Sequence, residues 1–469
     1  RSCVTPPAYD QMTTSEVSGA PSHVSPFDQR KSDMATTSLP PPLTAKDPSG
    51  FAYKTVHERL AVILTRTMDT ASNDVATMGP EACDDMKLVA ARLIKLRDEI
   101  AANMPLVALE DDFEDATVWN AVLDKYTANG KGNPPRWYDA PWLYFETYFY
   151  RRIFGAFYAS TKLKDYDYFA KFKHEALDGS INAVRILVDS AAANEHRDAA
   201  PAALKQAARR LVEISLWGNR CDLSLSCGAD ASSQADALQK TDALRPFIIS
   251  NHSDKLLEHL WKLRERNIGA NKPARLHCVM DNSGYELSSD LVLFDFLHVT
   301  GYVTGVTLHV KAIPYYVSDV TRRDVSWTLR KMQESEHEST RSLGERCQRR
   351  FADGAWSVQD DIFWTQPFDY AQMATRRPEL YKTLQSADVL FFKGDVNYRK
   401  LVGDLEWDPS VPFKQALRGF EPTFLCTLRT VKSNTVAGVD KSVVREVAQR
   451  SPDWMITGEY AVIQCAGTA

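Results

Sequence analysis

The chain has 469 residues, of which 44% are hydrophobic and 25% are charged, so it is long enough for two packed units or one elaborated unit. Its formal net charge is −5, and no basic stripe alternates with aromatic residues, which argues against a nucleic-acid partner. No apolar run approaches the roughly 20 residues that span a bilayer, and no basic-then-apolar signal sequence is visible, so we expect no membrane partner.

The eight cysteines are scattered along the chain without a CxxC pair. This pattern argues against a zinc ribbon and against a disulfide scaffold. It is typical of a protein in a reducing compartment, so we expect a cytoplasmic location, with which a nuclear presence is compatible. The sequence carries no signal for an oligomeric state.

The first 50 residues are rich in Pro, Ser and Thr and end in "SLPPPLTAKDPSG". This composition buries too little apolar surface to offset the cost of ordering the chain, so we expect a disordered extension over residues 1–50. The sequence begins with Arg1, and Met34 is a candidate for the natural start.

From Phe51 the apolar residues recur at helical spacing, first in "FAYKTVHERLAVILT" and again in "MKLVAARLIKLRDEI". The segment 136–158 is dense in aromatic residues, and at this spacing such a stripe indicates core packing rather than a ligand site. A further helix is expected across "APAALKQAARRLVEISLWG". We predict a mostly helical N-terminal region over residues 51–235.

Beyond about residue 245, short apolar runs alternate with helix-like stretches. The runs are "RLHCVM", "VTLHVKAIPYYV", "ADVLFFKG", "TFLCTLRT" and "WMITGEYAVIQC". Strands separated by helices predict a largely parallel sheet that is covered on both faces. We therefore predict an α/β domain over residues 236–469.

Oxygen-bearing side chains follow two of these predicted strands. Asp281 and Asn282 come directly after "LHCVM", and Asp319 comes after "AIPYYVS". In open α/β sheets ligands bind beyond the carboxyl ends of the strands, and carboxylate and amide oxygens suit Mg²⁺ or Mn²⁺. The alternative for the Asp-Asn pair is a turn or a helix cap, because both residue types favour caps and a helix follows directly.

Cations follow two other predicted strands. Lys393 and Arg399 belong to the segment that begins at the end of "VLFF", and Arg429 and Lys432 follow "FLC". These side chains are candidates to hold a phosphate, for which arginine offers a planar fork of donors. Asp395, in the same segment as Lys393, is a candidate catalytic carboxylate.

The common catalytic signatures GxxxxGK[ST], GxGxxG, HExxH and GxSxG are missing from the sequence. For phosphate chemistry at the predicted strand ends, two attacking groups stay open, water and the carboxylate of Asp395. The lack of a DxDx[TV] nucleophile loop favours water.

Six blocks of the sequence, in order, resemble the damage-control phosphatases, and specifically the subgroup of sugar-phosphate phosphatases and acidic-residue methyltransferase-like proteins. The blocks are "FAYKTVHERLAVILT", "LWGNRCDLSLS", "DNSGYELSSDLVLFDFL", "IPYYVSDV", "FKGDVNYRKLVGD" and "LRTVKSNTVAGV". The similarity runs from about Pro40 to the C-terminus. It implies a three-layer α/β/α sandwich preceded by a helical region, and a divalent transition metal such as Mn²⁺, Co²⁺ or Ni²⁺.

The resemblance also implies roles for single residues. The metal ligands that it implies are Asp281, Asn282 and Asp319, of which the first two also face the substrate. The further substrate contacts that it implies are Asp395, Val396, Asn397, Tyr398, Arg399 and Lys432. Lys432 belongs to an Arg-Thr-x-Lys motif that begins at Arg429. Asn434 departs from the pattern, since relatives usually carry Asp there.

The sequence therefore predicts a metal-dependent phosphomonoesterase that acts on small sugar phosphates of the fructose 1-phosphate and fructose 6-phosphate class in metabolite damage control. The predicted catalytic residues are Asp281, Asp319 and Asp395. The metal would polarise a phosphoryl oxygen, while Lys432 and Arg399 neutralise charge that develops on the oxygens.

The rival prediction is an S-adenosylmethionine-dependent protein-glutamate O-methyltransferase, an activity attributed to some relatives. It would place Glu286 and Asp319 at the cofactor. The chain lacks the Gly-rich loop after an early strand by which such a cofactor is usually approached, and methyl transfer needs no hard-metal site. A non-enzymatic binding protein would have no use for both a metal-type cluster and phosphate-type cations.

Overall fold

One seven-stranded sheet organises the computed structural model, which describes residues 38–192, 198–225 and 242–467, without the side chains of 219–225. The strands in chain order are β1 (Ile248–Asn251), β2 (Arg275–Val279), β3 (Gly305–Lys311), β4 (Trp356–Asp361), β5 (Val389–Lys393), β6 (Leu425–Thr430) and β7 (Ala461–Ala466). They lie in the order β1-β7-β6-β5-β2-β3-β4. Strands β2 to β6 are parallel and β7 runs antiparallel to β6, so the predicted largely parallel sheet is confirmed.

Helices account for most of the remaining described chain. They are α1 (Phe51–Lys54), α2 (Leu60–Val75), α3 (Pro80–Ala101), α4 (Ala116–Asn129), α5 (Trp142–Tyr158), α6 (Ala170–Ala192), α7 (Pro201–Leu225), α8 (Ser253–Ala270), α9 (Tyr285–Val299), α10 (Arg322–Gln333), α11 (Glu338–Ala352), α12 (Met373–Arg376), α13 (Pro378–Gln385), α14 (Gly394–Val402), α15 (Phe413–Ala416) and α16 (Lys441–Arg450). A π-helical turn, Thr55–Arg59, joins α1 to α2. Among these described helices, none is long and apolar enough to cross a membrane.

Apolar side chains cover the sheet on both faces. In β5, Phe391 belongs to the core formed with α6 to α11, whereas its neighbour Phe392 belongs to the core on the opposite face. This alternation explains why "VLFF" is apolar without interruption, as expected for a strand buried on both sides. Helix α9 is buried at every position from Tyr285 to Leu297 and so has no solvent-exposed face over this range, although it contains Glu286, Asp290 and Asp295. The predicted three-layer α/β/α architecture is confirmed.

The N-terminal helices α2 to α5 build a third apolar core that is rich in aromatic residues. It includes Trp119 and Phe149, both fully buried, and also Tyr315, which comes from the loop after β3. The N-terminal helices therefore lie against the carboxyl end of the sheet. The sequence grouped helices α6 and α7 with this region. In the structure they instead belong to the helical layer on one face of the sheet, where their apolar residues contact those of α9.

The packed chain begins earlier than the sequence suggested. Residues 1–37 and the predicted boundary near residue 235 lie outside the described residues, so these parts of the division stay predictions. The compact unit, however, starts at Pro41 rather than at residue 51. Leu43 and Ala45 are buried, and the Leu43 amide donates to the Asp404 carbonyl at 3.0 Å. These two apolar residues, hidden among prolines and polar residues, order the segment.

Strands β1 and β4 were not predicted from the sequence, for different reasons. β1 has only four residues, which is too short for a hydrophobic period to be visible. β4 lies at the edge of the sheet, and its sequence WSVQDD is mostly half-buried or exposed. Both strands are held by pairing with a neighbour rather than by a strong local signal.

Two histidines on adjacent strands make the stability of the sheet depend on pH. The ring nitrogens Nε2 of His309 and Nδ1 of His277 lie 3.1 Å apart in the buried sheet. Burial lowers the pKa of His277 to about 4, helped by Arg275, and that of His309 to about 3. Both rings are therefore neutral in the folded protein at neutral pH.

We expect the free energy of unfolding to fall between pH 6.5 and pH 4. The unfolded chain takes up protons below its ordinary histidine pKa of about 6.5, whereas the folded pair resists protonation, so acid favours unfolding by about 2 kcal/mol per ring at pH 5. Urea unfolding at pH 7.5 and pH 5 checks this against the double variant His277→Gln/His309→Gln. The parent should lose more stability than the variant, and equal losses would contradict the assignment.

Candidate functional site

A small cavity lies where the chain reverses its direction across the sheet. From β2 the chain continues to β3 and β4 on one side, and then to β5 and β6 on the other, so the carboxyl ends of β2 and β5 flank the switch point at which α/β proteins bind ligands. The cavity there has a volume of about 170 Å³. Its lining residues are Phe51, Arg59, Trp142, Glu146, Asp281, Asn282, Tyr316, Ser318, Asp319, Asp395, Val396, Arg399, Thr430 and Lys432.

The loop after β3 brings Asp319 beside the end of β2. Asn282 and Asp319 form an isolated antiparallel bridge, and the Val320 amide donates to the Asp281 carbonyl at 2.8 Å. The Ser318 hydroxyl donates to Oδ1 of Asn282 at 2.5 Å. The three side chains that the sequence selected as metal ligands therefore line one cavity together.

This loop contains a strained turn. Tyr316 has φ 42° and Val317 has φ 67°, a left-handed conformation that is rare for residues with a side chain and unfavourable for a β-branched one. Each such residue costs on the order of 1–3 kcal/mol and persists only where surrounding contacts enforce it. The Tyr316 hydroxyl donates to Oε2 of Glu146 at 2.9 Å. The turn thus aims Tyr316 at the N-terminal helices and leaves Ser318 and Asp319 facing the cavity.

The acidic side chains of the site are buried and crowded. Burial raises the pKa of Asp281 well above its ordinary value, and the nearby carboxylates of Glu286 and Asp319 raise it further. Burial also raises the pKa of Asp319 to about 6, although Lys311 opposes the shift with its ammonium 3.2 Å from Oδ2. Negative charge is therefore unfavourable here, and a cation at the carboxylates would relieve it.

The donor set fits a hard divalent cation. Among the described residues, no three His, Cys, Asp or Glu side chains are grouped as a metal site would need. The set selected from sequence instead combines two carboxylates with the amide of Asn282, which oxygen-seeking cations accept. The Asn282 amide is fixed, because its Nδ2 donates to Asp281 at 2.7 Å and to Glu286 at 2.9 Å. Asp281, Asn282 and Asp319 would hold the ion.

Gly394 allows α14 to begin directly against Asp281. Its φ is +82°, and a Cβ atom added there would lie 1.8 Å from Oδ2 of Asp281. The helix N-terminus carries a partial positive charge, which favours the carboxylate at that position. The glycine is thus required both by its backbone conformation and by the close approach of the side chain.

We expect Gly394→Ala to lower kcat/KM by at least about 10²-fold, since displacing a reacting group by an ångström can have that effect. Gly354→Ala is the matched control, because Gly354 has a similar φ of +79° but nothing within 4 Å of an added Cβ. Both variants introduce backbone strain, and only Gly394→Ala moves Asp281. Equal activities in a steady-state assay of the two variants would contradict the proposed place of Asp281.

Asp395 is an ionised carboxylate on the cavity wall. Burial alone would raise its pKa, but Arg429, Arg399 and hydrogen bonds hold the pKa below its ordinary value. Its Oδ1 accepts from Nε of Arg429 at 2.8 Å, from the Lys432 amide at 3.1 Å and from the Ser433 hydroxyl at 3.1 Å. A carboxylate stabilised in this way is a weak base.

The four predicted phosphate-holding cations separate into two groups. Lys432 and Arg399 line the cavity. Arg399 is nevertheless fully engaged: it binds Asp404 and Glu146, and its guanidinium lies 3.6 Å from the centre of the Trp142 ring. Its charge is balanced by two carboxylates, which makes Arg399 a weaker candidate to meet a phosphate.

Lys393 and Arg429 do not line the cavity and instead support residues that do. Lys393 Nζ is buried and lies 2.7 Å from Asp290, 2.8 Å from the Ser215 hydroxyl and 3.2 Å from Glu286. Arg429 is also buried and binds Asp395, the Thr435 carbonyl and Ser433. The structure does not place these two side chains at the cavity, because buried carboxylates and carbonyls already take their donors, and their contact with phosphate stays a prediction.

Three other candidates also lie behind the cavity wall. Asn397 donates to the carbonyls of Met280 and Lys393, and Tyr398 lies between Ala437 and Gln464. Glu286 is enclosed by Asn282 and Lys393. Of the "DVNYR" stretch, only Asp395, Val396 and Arg399 line the cavity. The side chains of Asn397 and Tyr398 therefore fix α14 and do not line the cavity, and their direct contacts with substrate stay a prediction.

The N-terminal helices contribute residues that sequence reasoning missed. Phe51 and Arg59, at the two ends of the stretch that includes the π-helical turn, line the cavity, as do Trp142 and Glu146 of α5. π-Helical turns often occur at functional sites. The Asn434 side chain accepts from the Phe51 amide at 2.8 Å, so this departure from the family pattern retains an acceptor oxygen at the helix start. The family-like block "FAYKTVHER" was the feature of the sequence that could have indicated Phe51 and Arg59 as site residues.

The fold and the cavity define an α/β protein with an acidic site at the switch point of its sheet. A family model described as "Damage-control phosphatase ARMT1-like domain" matches residues 55–447. Proteins named damage-control phosphatase ARMT1 are 36% identical over 434 residues in Danio rerio, covering 91% of this chain and 97% of the relative, and 36% identical over 440 residues in Homo sapiens, covering 92% and 99%.

A solved structure of a DUF89 family protein from Pyrococcus horikoshii is 14% identical with a TM-score of 0.41, covering 83% of this chain and 93% of that one. The family match and the curated relatives are decisive. The chain belongs to the ARMT1-like damage-control phosphatase family, and the resemblance inferred from its six sequence blocks is confirmed.

Proposed function

We propose that this member of a phosphatase family is a metal-dependent phosphomonoesterase for small sugar phosphates of the fructose 1-phosphate and fructose 6-phosphate class, acting in metabolite damage control. The observation that carries the proposal is the meeting of Asp281, Asn282 and Asp319 with Lys432 around one cavity. An oxygen-donor set and an ammonium group together suit a phosphate ester bound to a divalent cation.

The size and lining of the cavity support a small substrate. Its volume of about 170 Å³ is smaller than the roughly 300–1,000 Å³ of pockets for drug-sized ligands. The half-buried ring of Tyr316 offers a flat surface for a sugar ring, while Glu146 and Asp395 offer acceptors for its hydroxyl groups. These features favour a monosaccharide phosphate over a larger molecule.

In the proposed hydrolysis the metal ion, Lys432 and Asp395 have different roles. A bound Mn²⁺, Ni²⁺, Co²⁺ or Mg²⁺ would supply a Lewis acid for a phosphoryl oxygen. Lys432 would donate to the same phosphoryl group and stabilise charge that builds on it. Asp395 is a poor general base because its pKa is held low, and its Oδ1 already accepts from Arg429, the Lys432 amide and Ser433, so in this proposal it orients the Lys432 backbone and water is the attacking group.

The methyltransferase alternative gains no support from the site. It required Glu286 at the cofactor, and the carboxylate of Glu286 is enclosed between Asn282 and Lys393, behind the cavity wall. We therefore put forward phosphate hydrolysis alone.

The test is phosphate release from a panel of sugar phosphates, including fructose 1-phosphate, fructose 6-phosphate and glucose 6-phosphate, with each of the four metals in turn. We expect the ketose phosphates to be hydrolysed fastest. Release from none of the esters with any metal would contradict the proposal, and calorimetric binding of S-adenosylmethionine by the same preparation would then favour the alternative.

A further inference from the structure

A second cavity lies on the other side of the loop after β3, and the proposed reaction makes no use of it. Its volume is about 310 Å³, at the lower end of the roughly 300–1,000 Å³ range of small-molecule pockets. It opens between the end of α5, the segment 164–168 and the start of α10. Its lining combines aromatic rings with basic side chains and also includes the carboxylates of Asp165, Asp167 and Asp360.

The aromatic side is a cluster of three rings. Phe113 lies 4.7 Å from Phe154 and 5.1 Å from Tyr158, measured between ring centres, and Phe154 lies 5.4 Å from Tyr158. Phe113 and Tyr158 are only half-buried, although aromatic rings of this size usually gain stability from full burial. The cluster therefore presents apolar surface to the cavity against which a planar ring can pack.

The cationic side has two groups whose charge is available to a ligand. Lys164 and Arg323 are exposed on the rim, and no carboxylate of the described chain forms an ion pair with either. The Lys164 ammonium lies 4.3 Å above the Tyr158 ring, and Arg323 donates to the main-chain carbonyl of Asp165. Neighbouring Arg322, by contrast, pairs with Asp360.

We propose that this cavity binds a small anion with a planar ring, of the class of nucleoside monophosphates. The ring would pack on Phe113, beside the Tyr158 ring over which Lys164 lies, and the phosphate would accept from Arg323 and Lys164, which together match a dianion. The N-terminal end of α10 adds a partial positive charge at the same rim. The Asp165 carboxylate, also on the wall, is an acceptor for sugar hydroxyl groups.

One chain segment separates the two cavities. Ala312 and Ile313 line the second cavity, whereas Ser318 and Asp319 of the same loop line the first. Lys311 lines the second cavity and pairs with Asp319. A ligand in the second cavity therefore contacts the segment that positions Asp319, which gives it a direct physical route to the catalytic site.

The test is calorimetric titration of the full chain with adenosine 5′-monophosphate in the presence of chelator, so that binding is measured without turnover. Arg323→Ala should weaken binding about tenfold or more, as expected for loss of a charge-assisted hydrogen bond. Ala312→Trp, which fills the cavity from an exposed position, should abolish it. Arg349→Ala removes an exposed arginine that does not line the cavity and should leave the affinity unchanged.

The variant Lys432→Met distinguishes nucleotide binding in the second cavity from binding in the proposed phosphatase site. Binding that survives Lys432→Met and weakens in Arg323→Ala supports a second site, whatever the enzyme hydrolyses. Binding that Lys432→Met removes and Arg323→Ala leaves intact would show that the nucleotide enters only the first cavity, and the inference would be wrong. No heat of binding in the parent would overturn it as well.

Discussion

Asp281→Asn and Asp319→Asn are each expected to lower kcat/KM by at least about 10³-fold. Each removes one carboxylate donor from the proposed metal site, and the charge stabilisation that a metal supplies is worth several kcal/mol, at about 1.4 kcal/mol for each factor of ten. The shape of the side chain is kept, so the cavity is not enlarged.

The same variants should unfold with a free energy equal to or above that of the parent when no metal is present. The pKa of both carboxyl groups is raised in the folded state, which means that the folded protein disfavours the charged form at neutral pH, and an uncharged amide relieves this. Asp69→Asn, at an exposed position of α2, is the control for a neutral change.

If a variant keeps activity within tenfold of the parent and still binds metal, the residue replaced in it, Asp281 or Asp319, is not a metal ligand. Loss of cooperative unfolding would instead support the alternative considered from sequence, in which Asp281 and Asn282 serve the fold as a cap. Steady-state kinetics together with urea unfolding distinguishes these outcomes.

Lys432→Met is expected to lower kcat by about 10²–10³-fold, as for removal of one preorganised donor to developing charge. The lysine chain lies along the wall formed by Gly458, where an added Cβ would be 3.2 Å from its Cε, and methionine can occupy the same path. The substitution therefore deletes the ammonium and retains the packing.

Kinetics separates two roles for this lysine. If Lys432 only attracts the substrate, KM rises and kcat is unchanged, whereas a group that stabilises the transition state lowers kcat itself. Lys272→Met, in an exposed loop, is the control and should leave both constants unchanged. If Lys432→Met has the same kcat and KM as the parent, the "RTVK" stretch is not part of the active site.

The central strands were predictable because burial on both faces leaves a continuous apolar run. "VLFF" became β5, with Phe391 and Phe392 in opposite cores. The packed segment around Leu43 was not predictable in this way, since its order depends on residues far along the chain such as Asp404. Whether such a segment is ordered depends on its tertiary contacts, and these cannot be read from its composition alone.

The same distinction applies to the site. The sequence could predict that one cavity brings together Asp281, Asn282, Asp319, Asp395 and Lys432, because side chains that follow parallel strands meet at one edge of the sheet. Strand alternation explains why Lys393 does not line the cavity: it ends β5 two positions after Phe391, and so it points into the same buried layer.

Arg59 and Glu146 were missed for a third reason. They come from helices that fold over the strand ends, and no spacing rule states which helix will cover which strand. Only the family block that contains Arg59 marked this part of the chain as functional.

The most direct test of the account measures metal content and phosphate release on the same sample. The protein is first stripped with chelator, its metal content is shown to be zero, and Mn²⁺ is then added stepwise while phosphate release from fructose 1-phosphate is followed. We predict no release from the stripped protein and a recovery that saturates at one bound ion per chain. Full activity in the protein shown to be free of metal would contradict the account.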